Sequence, residues 1–122
     1  MTAMFAAFRA AVEGKDVDAA VALFAPDVVF NSPVVHKPYV GREPLHAILS
    51  AVMVVFEDFR YTGSYEGDTG HVLEFACRVG DRGLQGVDIL RGDGRQLTEL
   101  TVLVRPYSAA TQLRARMAAL LA

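Results

Sequence analysis

The sequence predicts an α+β fold: a curved antiparallel sheet, cone-shaped, with helices packed in its concave face. Apolar residues recur at helical spacing in two segments before residue 25 and again over residues 42–56. Four further segments between residues 58 and 105 read as strands separated by glycine-bearing turns. The helices come before most of the strands instead of alternating with them, so they gather on one side of a meander. The 122 residues suffice for a single domain, residues 1–122, with a substantial core.

The first helix is expected from about Thr2 to Glu13, because Met4, Phe5, Phe8 and Val12 share one stripe. Gly14 should cap its C-terminus. Asp16 can cap a second helix carrying Val17, Ala20, Val21 and Phe24, which Ala25-Pro26-Asp27 stops. Val28 to Asn31 reads as a short strand, and 32–41 as a loop containing His36 and Tyr39. A third helix starts near Arg42-Glu43-Pro44 with Leu45, Ile48, Leu49, Val52 and Phe56 on its apolar side. Strands are expected near 58–66, 71–79, 84–91 and 97–105. Ser108 can cap a last helix with Leu113, Met117, Leu120 and Leu121 on one side.

Hydrophobic residues make up 52% of the chain and charged residues 21%, with a formal charge of −2. That balance excludes disorder and a nucleic-acid-binding surface. The one cysteine, Cys77, cannot form an internal disulfide and reads as a small core residue. No basic segment precedes an apolar run at the start, and no run approaches the ~18 apolar residues of a membrane span. The expectation is a cytoplasmic protein without membrane contact. Three scattered histidines lack metal-site spacing, and no phosphate loop or nucleophile elbow is present, so neither metal nor cofactor is expected.

Chemistry is most legible in the last hairpin. If Asp93-Gly94 forms its two-residue turn, Gly92 pairs with Arg95 and Asp88 with Glu99. A loop over Gly92–Arg95 keeps that register, and a bulge breaks it. In the preceding hairpin an Asp81-Arg82 turn pairs Phe75 with Asp88. The face carrying Asp88 and Glu99 then holds Leu73, Phe75, Cys77, Leu90, Leu97, Thr101 and Leu103. Two adjoining carboxyls on an apolar face repel, so one should hold its proton near neutrality. The alternative is that both lie on a solvated face. The opposite face, with Val87, Ile89, Leu100 and Val102, is also apolar and calls for a second copy of the chain to cover it.

Residues Phe8 to Phe30, with Gly14-Lys15-Asp16 and Phe24-Ala25-Pro26-Asp27 within them, resemble the opening of nuclear transport factor 2-like proteins. Tyr39-Val40-Gly41-Arg42-Glu43 is similar to the segment before their third helix. The superfamily includes ketosteroid isomerases and SnoaL-like polyketide cyclases, and the resemblance implies a cystatin-like α+β barrel around a small-molecule pocket, in a homodimer. Against the isomerases, Val87-Asp88-Ile89 resembles the strand whose aspartic acid donates a hydrogen bond to an oxyanion, an acid kept neutral by apolar surroundings. Phe8 stands where the resemblance implies a tyrosine, and Ser32 where it implies an aspartate base. The expected function is therefore binding of a small hydrophobic molecule, with Asp88 and Glu99 as an acid pair for isomerase- or cyclase-type proton transfer. The alternatives are a non-catalytic binding module and a structural dimer with a filled cone. His36 is the candidate proton shuttle. Asn31, Tyr39, Phe8, Phe75, Thr101 and Leu103 are candidate ligand contacts.

Overall fold

The helical stripe of Phe5, Phe8 and Ala11 is buried by α1 (Thr2–Glu13) in the computed structural model, which describes residues 2–121. The helix ends in a Schellman motif. Asp16 N–H donates to Ala11 O at 2.8 Å and Lys15 N–H to Val12 O at 3.0 Å. Gly14 is not the left-handed residue of this cap: Lys15 is, at φ 55°. Asp16 caps α2 (Val17–Ala22) as expected, accepting from the Ala19 N–H at 3.1 Å.

The second helix is shorter than its apolar spacing suggests. Phe24, Ala25 and Pro26 belong to β1 (Phe24–Asn31). The Leu23 carbonyl accepts from the Leu97 N–H at 2.9 Å, and the Arg42 guanidinium takes the Phe24 carbonyl at 2.6 and 2.8 Å. These partners lie 18 residues on in one case and in the last strand in the other, so local periodicity does not reveal them. Within the loop expected at 32–41, Tyr39 and Val40 form β2 (Tyr39–Val40), paired antiparallel to β1. Gly41, at φ 110°, turns the chain into α3 (Arg42–Val55), which buries Leu45, Ile48 and Leu49.

The strands β3 (Glu57–Glu66), β4 (His71–Val79), β5 (Arg82–Gly92) and β6 (Leu97–Arg105) form the expected meander. The sheet order is β2-β1-β6-β5-β4-β3, antiparallel except for the parallel pair β1–β6. The sheet curves without closing. A last helix, α4 (Tyr107–Leu121), begins directly after Pro106, whose carbonyl accepts from Ala110 N–H, so Ser108 lies inside the helix and does not cap it. It buries Ala109, Leu113 and Met117, while Leu120 and Leu121 are half exposed.

Register decides which side chains meet. The β4–β5 turn is at Gly80-Asp81, with Val79 opposite Arg82 and Gly80 at φ 61°. Asp88 therefore faces Leu73 and not Phe75, which faces Gly86. The β5–β6 hairpin corrects the central expectation. Asp93 Oδ1 accepts from the N–H groups of Arg95 and Gln96 at 2.9 and 2.8 Å, so the loop is Asp93–Gln96. Gly92 pairs with Leu97, but Arg91 pairs with Glu99, leaving Thr98 as a bulge. Asp88 consequently stands opposite Val102, and Glu99 turns to the other face, where its carboxylate lies 3.3 Å from Arg91 Nε. The same shift brings Leu100 and Val102 inward and sends Thr101 and Leu103 outward.

Candidate functional site

Asp88 is the one carboxylate buried in the core among the described residues, with 8% of its surface exposed. It reaches that position because β5 alternates strictly, with Leu84, Asp88 and Leu90 directed under the helices. Its Oδ2 accepts a 2.8 Å hydrogen bond from the Tyr61 hydroxyl. No protein group bonds its other oxygen among the described residues, and Asp88 lines a cavity between sheet and helices. Burial pushes the carboxyl pKa up to about 7, against the lowering effect of the Tyr61 hydrogen bond. Burial and the neighbouring Asp88 charge raise the Tyr61 hydroxyl far beyond its ordinary range, so tyrosine keeps its proton and acts as donor. Arg9, 3.4 Å from Glu13, lies over the outer side of the Tyr61 ring at 5.5 Å.

The cavity holds about 120 Å³. Phe8 and Val12 wall one side, α3 contributes Ile48, Leu49 and Val52, and Phe56 follows directly after that helix. Leu113, Met117 and Leu121 of α4 form another wall, and Leu100 and Val102 lie beside Asp88. Ser32, Tyr39 and Lys15 supply the remaining polar groups of the lining. For scale, an engineered apolar cavity of roughly 150 Å³ admits one benzene.

Of the residues singled out in the sequence, Asp88, Phe8 and Tyr39 line this cavity. Phe75 is buried beneath it, its ring 5.7 Å from Phe56 and 5.1 Å from Phe59. Asn31, at the end of β1, donates to Thr101 Oγ1 in the middle of β6 at 2.9 Å, a bond that occupies both side chains, and neither residue lines the cavity. Leu103 is 54% exposed on the outer face, and His36 is exposed in the loop before β2. Glu99 is separated from Asp88 by the sheet itself. Tyr61 was missed, although its alternation on β3 with Phe59 marks an inward position; nothing local ties it to an acid two strands away.

Elsewhere, His71 stacks on Phe5 with ring centroids 4.8 Å apart and shares a hydrogen bond with Ser64, while its buried Nδ1 has no partner among the described residues. Burial raises the Cys77 thiol to about 12, so it stays protonated. The described residues contain no cluster of three metal-ligating side chains and no helix long and apolar enough to cross a membrane.

A SnoaL-like domain model matches residues 5–102. No curated protein matches the chain. Among solved structures, a steroid delta-isomerase from Pseudomonas aeruginosa is 36% identical, with TM-score 0.92, over 98% of this chain and 90% of that one. A conserved bacterial protein with a cystatin-like fold from Silicibacter pomeroyi is 34% identical, with TM-score 0.89, over 95% and 83%. An NTF2-like protein of unknown function from Cytophaga hutchinsonii shares the fold at 15% identity, with TM-score 0.70, over 86% and 89%.

Proposed function

The chain belongs to the SnoaL-like domain family, in the NTF2-like superfamily, and from that premise we propose that it binds a small apolar carbonyl compound and transfers a proton beside the carbonyl through Asp88. The carrying observation is the buried carboxyl with a pKa of about 7, bonded to Tyr61 through one oxygen, on a residue that lines an apolar cavity. A protonated Asp88 donates a hydrogen bond to the ligand oxygen as negative charge grows there; ionised, it accepts a proton from the adjacent carbon. A group poised near neutrality serves either direction. The reaction needs no cofactor.

The kinship with a protein described as a steroid delta-isomerase supports this reaction class. Two features argue against steroids as substrate. Ser32 stands where the family resemblance implies the base, and a cavity of about 120 Å³ is on the scale of one ring, not four. A 5-ene-3-keto steroid should turn over far below the ~10 per second median of enzymes.

A binding module without turnover is the second reading. Among the described residues Asp88 is the single carboxylate lining the cavity, and Glu99, its expected partner, is not part of the lining. Acetophenone separates the readings. In heavy water, wild-type protein should bind it and speed deuterium uptake at its methyl carbon, and Asp88→Asn should abolish that uptake while still binding. Binding without exchange leaves the module; no binding sinks both.

We also propose a homodimer through the outer sheet face. The corrected register gives that face Val87, Ile89, Thr101 and Leu103.

A further inference from the structure

Lys15 combines three properties. Its backbone lies at φ 55°, where the Schellman motif ending α1 favours glycine and a side chain is strained. Its side chain lines the rim of the Asp88 cavity. Its ammonium has no ion-pair or hydrogen-bond partner among the described residues. The neighbouring acids are committed elsewhere: Asp16 Oδ1 accepts from Ala19 N–H, and Asp18 Oδ1 lies 2.8 Å from His46 Nε2. With Asp88, Lys15 makes up the charged lining of an otherwise mostly apolar cavity. Lys15 is exposed to water, and a cation on this lining is placed to meet an anionic group of a bound molecule.

We infer that Lys15 is a ligand-binding residue and that the cavity takes keto acids: a compact apolar body carrying a carbonyl, with an anionic group left at the rim beside Lys15. This inference rests on the proposed reading of the cavity and adds the charge of the ligand. The apolar body would fill the space between Phe8, Val52 and Met117, while the carboxylate stays partly in water. The attraction is thus modest and screened by salt.

The test uses benzoylpropanoate and its neutral amide, which differ in charge but hardly in shape. Affinities are read by NMR titration at low salt, with acetophenone as the control for cavity binding. Wild type should bind the acid about fivefold more tightly than the amide, with the gap closing at high salt. Lys15→Met, which removes the charge and keeps a side chain at the strained position, should erase the preference without weakening the amide. Lys15→Gly should do the same and also raise Tm by about 3–6 °C as strain is released. Equal binding of acid and amide by wild type overturns the inference while acetophenone binding upholds the cavity. A preference that survives in Lys15→Met also overturns it. If no probe binds, both readings fall.

Discussion

The proton on Asp88 ties stability to pH. Its carboxyl has a reference pKa of 3.8 and is raised to about 7 by burial in the fold. Between those values the folded chain holds a proton that the unfolded chain releases. Stability is therefore fully present below pH 4, falls as pH rises towards 7, and levels off above, the loss amounting to as much as about 4 kcal/mol. Asp88→Asn keeps an acceptor for Tyr61 and removes the titration. Urea unfolding should find the variant more stable than wild type at pH 8 and nearly equal at pH 4; parallel pH profiles would refute the assignment. Tyr61→Phe removes the one interaction that favours the carboxylate, so the Asp88 midpoint should move further up in a carbon-detected NMR titration. An unchanged or lowered midpoint would show that the hydroxyl does not govern this acid. The acid itself was legible in sequence, set between Val87 and Ile89 in an apolar run. Its tyrosine was not, because the two meet across two strand pairings and not along one.

At the scale of elements, the legible and the illegible divide on parity. The β4–β5 register differs from expectation by two residues, which preserves faces: Asp88 still points inward with Leu73, Cys77 and Leu90. The β5–β6 register differs by three, which exchanges them. The cause is small: an aspartate that captures two backbone N–H groups, and one bulged threonine. The turn signal Asp93-Gly94 says that a hairpin exists, not whether a bulge follows. The four helices, the first strand and the four-strand meander were readable from period, caps and turns, while the two-residue β2 was not. The parallel β1–β6 pair was not, since its partners lie some seventy residues apart, as Asn31 and Thr101 do. The β5 register also depends on Gly86, where an added Cβ would stand 2.5 Å from Phe75 Cζ and 2.6 Å from the Leu103 carbonyl. Gly86→Ala should lower the urea midpoint by the equivalent of about 1–3 kcal/mol; an unaltered midpoint would mean that the Phe75 ring has room to withdraw.

For the whole molecule, the outer face raises the question of assembly. Leu103 is 54% and Tyr65 57% exposed, beside Val72, Val87 and Ile89 on adjacent strands. An apolar sheet face of this kind is rarely left to water. Gel filtration with light scattering should give twice the 13.2 kDa chain mass at micromolar concentration, and Leu103→Lys should shift it to the monomer. A wild-type monomer would remove the dimer from the proposal. Within each subunit, the family model ends at residue 102, whereas three wall residues of the cavity, Leu113, Met117 and Leu121, come later. The acid and its tyrosine thus lie within the matched segment, and part of the chamber's wall lies beyond it. Substitutions on the inner side of α4 would therefore reshape the chamber while leaving the Asp88–Tyr61 hydrogen bond untouched.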